Sequence, residues 1–244
     1  MTNYRTFARI YDEVMDSSTY EDWLMFTTRH IRPEAKSVLE LACGTGILSV
    51  ELANIGLDVT GVDLSEDMIK LANERRYVDD ECLRFEVGDM LDLKKQDEFD
   101  VVTCYSDSLC YMPDEQAVAR VFKEVYKALK PEGIFIFDVH SIYQIEEVFS
   151  EYSYHYQTDE FAFLWESYPG SVPYSVEHFL TFFIPEGKDT FKRFDELHEE
   201  RTYSIETYKD LLQKVRFKQV KLFSDFTDTP PTDSSTRWFF VCEK

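Results

Sequence analysis

The sequence predicts an α/β fold with a doubly wound, mostly parallel sheet, and three observations support this prediction. Short apolar segments alternate with stretches of helical periodicity along most of the chain. Two glycines, Gly44 and Gly46, directly follow the first apolar segment, where a strand turns into a helix. Acidic residues, Asp63 and Asp89, stand at the ends of two later apolar segments. The carboxyl ends of such strands share one sheet edge, where open α/β sheets bind ligands.

Composition narrows the expected partners. The 244 residues suit one α/β domain. The formal net charge of −21 disfavours nucleic acid and anionic membranes as partners, because the surface repels phosphate groups. The five cysteines include no Cys-x-x-Cys pair and predict reduced thiols in a cytoplasmic protein. No apolar run is long enough to span a membrane, and the histidines lack metal-ligand spacing, so no metal is expected.

Two helices are predicted ahead of the first strand. An apolar stripe at helical spacing covers residues 4–15, and a second helical segment covers about residues 20–31 before Pro33. Their simplest role is to cover an edge of the sheet.

The first strand and its turn occupy residues 37–46. Glu40 lies inside this strand, and helical spacing resumes after Gly46. Such a turn could hold an NAD pyrophosphate, but Gly44-x-Gly46-x-x-Ser49 lacks the third glycine of the dinucleotide fingerprint. A tight strand-to-helix turn without a ligand is the other interpretation.

The second and third strands, residues 58–63 and 83–87, each lead to a carboxylate. Asp63 can accept two hydrogen bonds from vicinal ribose hydroxyls, although it could instead cap the helix that Ser65 begins. Asp89 follows a glycine and could also be an ordinary surface turn.

The remaining core elements follow in order. Residues 99–104 and 134–139 are predicted as strands four and five, separated by a helix that begins at Pro113 and ends at residues 130–133. A closing helix begins at Ser204, and strands six and seven cover residues 220–223 and 238–242.

Residues 141–203 differ in composition and residue pattern from the rest of the chain. They are rich in aromatic and acidic residues, alternate with period two, and contain proline and glycine turns. We therefore predict an antiparallel insert after strand five, between a core at residues 1–140 and its completion at residues 204–244. The insert could lie over the ligand crevice and bind a cationic or amine-bearing substrate, or it could be a dimerisation ribbon.

The segment Glu40-x-Ala42-Cys43-Gly44-Thr45-Gly46 resembles the first motif of class I S-adenosylmethionine-dependent methyltransferases. Residues 7–12 resemble the N-terminal segment of the small-molecule members, and the closing helix and strands are also similar. The resemblance implies a Rossmann-like, seven-stranded sheet whose last strand is antiparallel, between strands five and six. It further implies S-adenosylmethionine as cofactor and methyl transfer to the nitrogen or oxygen of a small-molecule substrate.

The resemblance also implies a set of cofactor-binding residues. Asp89 and Met90 match positions that contact adenine, Asp63 matches the ribose contact, and Tyr11 matches a contact to the methionine end. Backbone carbonyls after strand four would hold the methionine amine. The complete set is Tyr11, Glu40, Ala42, Gly44, Gly46, Asp63, Leu64, Met68, Asp89, Met90, Cys104 and Tyr105.

Methyl transfer from a sulfonium requires alignment, exclusion of water and a neutral nucleophile, so few catalytic residues are needed. His140 and Tyr105, just past strands five and four, are the candidates for taking a proton from the acceptor. For His140, a structural hydrogen-bonding role is the other interpretation. Two alternatives stay open: an NAD-dependent oxidoreductase, which leaves Glu40 and Asp89 unexplained, and a non-catalytic regulator that binds S-adenosylmethionine. We expect a monomer or a homodimer.

Overall fold

A computed structural model describes residue 12 and residues 17–76, 81–187 and 190–244. The predicted Tyr11 contact and most of the predicted first helix lie outside these residues. Each of the five cysteines is a free thiol. Within the described ranges, no helix is both long enough and apolar enough to cross a membrane.

The strands and helices alternate as the sequence predicts, apart from the insert. The strands are β1 (Ser37–Leu41), β2 (Asp58–Asp63), β3 (Leu83–Val87), β4 (Phe99–Cys104), β5 (Leu129–His140), β6 (Ser153–Gln157), β7 (Ala162–Pro169), β8 (Ser175–Pro185), β9 (Phe191–Arg201), β10 (Gln219–Ser224) and β11 (Arg237–Glu243). The α-helices are α1 (Ser17–His30), α2 (Ile47–Asn54), α3 (Glu66–Arg75), α4 (Glu115–Ala128) and α5 (Ile205–Val215), with a 3₁₀ turn at Ser108–Tyr111 and a π turn at Gln144–Val148.

Seven strands form the main sheet in the order β10-β11-β5-β4-β1-β2-β3. Strands β1 to β5 pair in parallel, whereas β11 is antiparallel to both β5 and β10. This order confirms the predicted doubly wound sheet, with the last strand inserted beside β5. Because β1 lies beside β4 while the chain runs on to β2, the sheet has its topological switch point between β1 and β4.

Both faces of this sheet are covered, which explains the continuous apolar runs of its strands. Along each strand, successive side chains enter opposite clusters. Val38 and Val101 pack with α1 and α2, whereas Leu39 and Val102 pack with α4 and α5.

The insert is a separate antiparallel sheet, in the order β6-β7-β8-β9. It leaves the main sheet after β5 and returns through Thr202, whose hydroxyl donates to the His140 carbonyl at 2.6 Å. The predicted antiparallel insert after strand five is therefore confirmed.

One boundary prediction was wrong, because residues 130–133 do not end the preceding helix. Helix α4 stops at Ala128, and β5 begins at Leu129 with a bulge opposite β4. Phe99 pairs with Leu129, but Val101 already pairs with Ile134, and Glu132 has a φ of 64°. The Lys-Pro-Glu-Gly segment therefore forms the bulge itself.

Candidate functional site

A cavity of about 560 Å³ opens at the carboxyl ends of the parallel strands, beneath the insert sheet. Seven of the predicted cofactor residues and the predicted base His140 line it. These are Ala42, Gly44, Asp63, Leu64, Met68, Asp89, Met90 and His140. The side of the cavity opposite the glycine turn belongs to the insert, which contributes Phe163, Trp165, His178, Leu180, His198 and Glu200.

Asp63 organises the turn on the cofactor side. Its carboxylate accepts hydrogen bonds from the backbone N–H of Gly44 at 2.9 Å and of Ser65 at 2.8 Å. Burial raises the pKa of the Asp63 carboxyl. Asp63 thus ties the glycine turn to the start of α3 while it also faces the cavity.

Glu40 lies below the turn and outside the lining of the cavity. The Ser49 hydroxyl on α2 donates a hydrogen bond to its carboxyl group. Burial raises the pKa of Glu40 to about 8, so the carboxyl is mostly protonated at neutral pH. The structure therefore places Glu40 as a link between β1 and α2.

The two glycines of the turn have different surroundings. Both have a positive φ, 54° for Gly44 and 79° for Gly46. A Cβ on Gly46 would lie 2.5 Å from the Phe85 ring, so Gly46 allows β3 to pack closely. A Cβ on Gly44 would meet no atom of the described residues within 4 Å, so the backbone there is open to the cavity. A ligand can approach the chain at Gly44, as the resemblance to the first motif requires.

We expect Gly44→Ala to weaken the binding of S-adenosylhomocysteine by about tenfold or more, because the new methyl group occupies ligand space. The left-handed backbone also makes alanine unfavourable by about 1–2 kcal/mol. Gly56→Ala is the matched control, since Gly56 has a φ of 96° and equally open surroundings at the end of α2. Calorimetry on both variants checks this, and equal affinities would remove Gly44 from the site.

Asp12 contacts the same turn. The Thr45 hydroxyl donates to Asp12 at 2.6 Å, and Arg75 forms an ion pair with Asp12. These contacts place the Asp12 side chain against the glycine turn.

Tyr105 lies on the α1 side of the sheet. Its phenol donates a hydrogen bond of 2.7 Å to Thr27, whose own hydroxyl donates to the Trp23 carbonyl. The ring stacks on Trp23 at 5.9 Å, and burial raises the pKa of the phenol well above its usual value. Tyr105 does not line the cavity, so the structure separates the two predicted proton acceptors. Cys104 and Gly46 are likewise absent from the lining.

The loop after β4 is held in an unusual backbone conformation. Ser106 and Asp107 have φ values of 55° and 57°, and Ala42, after the neighbouring β1, has a φ of 52°. Residues other than glycine seldom adopt this conformation, and it concentrates at functional sites. The Asp107 N–H donates to the Asp138 carboxylate at 3.0 Å, which fixes the loop against β5.

A buried group of charges lies next to this loop. Arg237 donates to Asp138 at 2.7 Å and to Asp107 at 2.8 Å, and the Trp23 indole N–H also donates to Asp138, at 2.8 Å. Burial disfavours a charged guanidinium, but the two carboxylates outweigh it and raise the pKa of Arg237. The group therefore holds β4, β5, β11 and α1 together at the cavity.

His140 stands between two carboxylates. Its Nδ1 lies 3.2 Å from Asp107 Oδ1, and its Nε2 lies 3.3 Å from Glu200 Oε2, on the insert. Burial lowers the pKa of the imidazole, but the two carboxylates outweigh it and the pKa is raised. Burial raises the pKa of Glu200, but the nearby His140 outweighs it, and this pKa falls to about 2.

His178 is a neutral neighbour of this pair. Its Nδ1 accepts a hydrogen bond of 3.1 Å from the Trp165 indole N–H, so the ring proton is on Nε2. Burial lowers the pKa of His178 to about 4. Its Nε2 lies 3.8 Å from Glu200 Oε1 and has no hydrogen-bond partner in the part of the chain that the structure describes.

The sequence did not single out several residues of this site. Asp107, Arg237, Glu200, His178 and His198 meet only through the pairing of distant strands. For three of them, the alternation of residues along the strands of the insert could have indicated a shared face. Alternate residues of β8 and β9 face the cavity, so His178, His198 and Glu200 share one face of the insert. Among the described residues, no three His, Cys, Asp or Glu side chains are grouped to hold a metal ion.

Known proteins with similar sequences and structures bear on this site. Residues 38–133 match the methyltransferase domain family. The chain is 38% identical to a putative methyltransferase of Geobacillus sp. over 99% of both chains, and 39% identical to one of Bacillus subtilis over 99% and 97% of the two chains. It is also similar to the crystal structure of an S-adenosylmethionine-dependent methyltransferase from Clostridium acetobutylicum, with 28% identity, a TM-score of 0.84 and coverage of 98% of both chains.

Proposed function

The chain belongs to the class I S-adenosylmethionine-dependent methyltransferases, and we propose that it methylates a nitrogen or oxygen atom of a small-molecule acceptor. The cofactor is S-adenosylmethionine. The family leaves the acceptor open, so the proposal rests on the cavity.

The observation that carries the proposal is that one cavity has two unlike sides. Residues at the ends of β1, β2 and β3 form one side, and the aromatic and ionisable residues of the insert form the other. A volume of about 560 Å³ lies in the range of small-molecule sites, which is roughly 300–1,000 Å³. The size and the cover of the insert favour a small acceptor.

The cofactor side suits an adenosine ligand. The open surroundings of Gly44 provide a place where a ligand can contact the backbone. Asp63, Asp89 and Met90 all line the cavity, which supports the proposal that Asp63 accepts the ribose hydroxyls and that Asp89 and Met90 contact adenine. We propose that Leu64 and Met68, which line the cavity, pack on the adenosine.

The bound cofactor supplies an electrophilic methyl group, and the chain supplies alignment, a dry site and a proton acceptor. Phe149, Phe163, Trp165 and Leu180 give the cavity apolar walls that limit water. His140 is the proposed proton acceptor, because it lines the cavity and Asp107 holds its Nδ1. We do not propose Tyr105 as the proton acceptor, because its phenol is hydrogen-bonded to Thr27.

We propose that residues 141–203 form the acceptor-binding lid. The inner face of β7, β8 and β9 supports this role through the side chains that line the cavity. The outer face carries exposed Leu164, Phe179 and Leu197, which keeps the dimerisation ribbon as a second candidate role. The two roles use opposite faces and are compatible.

We expect Asp63→Ala to lower the affinity for S-adenosylhomocysteine by about ten- to a hundredfold, because charged hydrogen bonds contribute roughly 1.5–3 kcal/mol. Part of the loss arises through the turn, since Asp63 also binds the N–H groups of Gly44 and Ser65. Asp58→Ala, at the exposed start of β2, is the control and keeps the affinity. An unchanged dissociation constant in Asp63→Ala would contradict the ribose contact.

Transfer of a labelled methyl group tests the proposed function. The protein is incubated with labelled S-adenosylmethionine and a cell extract that has been split into small molecules, proteins and nucleic acids. We expect label in the small-molecule fraction, together with S-adenosylhomocysteine. Label in proteins or nucleic acids alone would refute the small-molecule acceptor.

A further inference from the structure

Glu200 is a buried carboxylate that the insert holds in the cavity. Its side chain is only 7% exposed, and it lines the cavity beside His140 and His178. Its Oε2 lies 3.3 Å from His140 Nε2, but within the described ranges no hydrogen bond of good geometry reaches this oxygen. Glu200 therefore lines the cavity with a carboxylate oxygen that no hydrogen bond of the described residues satisfies.

Few neighbouring groups can balance the negative charge of Glu200. Arg237 is engaged by Asp107 and Asp138, and His178 is neutral because its pKa lies near 4. Tyr111 lies close to Glu200, but a phenol carries no positive charge at neutral pH. In the described part of the site, His140 is therefore the group that can compensate the Glu200 charge.

This dependence conflicts with the role of His140 as a proton acceptor. Only a neutral imidazole can accept a proton, yet a neutral His140 leaves Glu200 as a buried carboxylate without a cation. Such an unpaired charge is strongly unfavourable. The conflict disappears if the acceptor brings a positive charge to Glu200 when it binds.

We propose that the acceptor is an amine that binds as its ammonium form against Glu200. This inference rests on the proposed function and narrows it to nitrogen. It also gives Glu200 a role in specificity, since its Oε2 would receive an N–H of the acceptor. The rings of Trp165 and Phe149 line the same cavity and can contact the cation or its apolar body.

The proton and electron changes balance. Binding of the ammonium releases the His140 proton to solvent, because the new cation takes over the pairing with Glu200. Neutral His140 then accepts one ammonium proton and leaves a neutral amine. The amine lone pair forms the new C–N bond while the C–S bond breaks, and that electron pair stays on sulfur. The product is an N-methylated ammonium, and protonated His140 is again next to Glu200.

The same carboxylate favours nitrogen over oxygen in the reaction. Positive charge develops on an amine as it is methylated, and a nearby carboxylate stabilises this charge. A hydroxyl must instead lose its proton and become negative, next to Glu200 and Asp107. The negative charges of these two carboxylates disfavour ionisation of the acceptor hydroxyl.

The first test compares benzylamine with benzyl alcohol, two probes of similar shape. Their binding to the protein saturated with S-adenosylhomocysteine is measured by NMR titration. We expect the amine to bind about tenfold or more tightly than the alcohol, as a charge-assisted contact implies. Alcohol binding equal to that of the amine would overturn the proposal.

Two variants locate the effect. Glu200→Gln keeps the shape of the side chain and should reduce benzylamine affinity to that of the alcohol, with unchanged affinity for S-adenosylhomocysteine. Glu199→Gln is the control, because Glu199 is exposed on the opposite face of β9. Undiminished amine binding in Glu200→Gln would refute the role of Glu200.

The labelled product from the cell extract distinguishes the two proposals. Retention of a small labelled product on a cation exchanger at neutral pH supports the amine. A small labelled product that is a neutral ether or ester overturns the amine and leaves small-molecule methyl transfer intact. Label confined to macromolecules refutes the proposed function itself.

Discussion

Replacing Arg237 by methionine is expected to lower the free energy of unfolding by about 3–5 kcal/mol, the usual consequence of removing one partner from a buried ion pair. The guanidinium contacts Asp107 and Asp138, and the Asp138 side chain is fully buried. Methionine fills the space but removes the cation that the two carboxylates share. Urea denaturation at neutral pH measures the loss.

The pH dependence of this loss identifies its cause. Burial raises the pKa of the Asp138 carboxyl, so without Arg237 this group destabilises the folded variant while it is charged and becomes neutral as the pH falls. The deficit should therefore be smaller at about pH 5 than at about pH 8. Arg193→Met is the control, because its pair with Asp195 is exposed and should contribute less than about 1 kcal/mol. Equal losses in the two variants would contradict the account.

Replacing His140 by glutamine is expected to lower kcat by about 10²- to 10⁴-fold, the range for removal of a general base. The affinity for S-adenosylhomocysteine should stay within a few fold, since His140 lies on the acceptor side. His155→Gln, at an exposed position of β6, is the control and keeps full activity. A variant at position 140 with normal kcat would show that the acceptor loses its proton without His140.

The pH profile gives this prediction a second measurement. His140 faces Asp107, Glu200, Arg237 and His178, and the two carboxylates raise its pKa above the ordinary value. In the wild type, kcat/KM, which reports groups of the free protein, should rise with pH as His140 loses its proton, with a midpoint above about 6.5. The His140→Gln profile should lack this step. The ion pairs of protonated His140 also stabilise the fold below about pH 6.5, and this contribution is lost as the pH rises through the folded pKa.

Local sequence patterns were sufficient to predict the parallel strands. Strands β2, β3 and β4 have the predicted bounds, since each is a short apolar run between clear turn or cap signals. Ser65 caps α3 as expected, with its hydroxyl accepting from the Met68 N–H at 3.2 Å. The β5 boundary failed because the bulge depends on the register with β4, which a single strand does not encode.

The sequence predicted the residues of the candidate site that follow strands, but not the contacts that depend on packing between distant elements. Gly44, Asp63 and Asp89 follow strands of one sheet, so their position in the chain placed them at one edge. The Tyr105 side chain went to the other face because its direction depends on packing with Trp23 and Thr27. Glu200 reaches His140 across the two sheets, a contact between residues 60 positions apart that no local pattern indicates.

A crystal structure of the protein with S-adenosylhomocysteine tests the central claim most directly, namely that one cavity holds the cofactor on the strand side and the acceptor on the insert side. We predict that the ribose hydroxyls bind Asp63, that adenine lies at Asp89 and Met90, and that the sulfur faces His140 and Glu200 across a space for a small acceptor. Adenosine bound away from Asp63, or a sulfur that faces away from His140 and Glu200, would contradict the account.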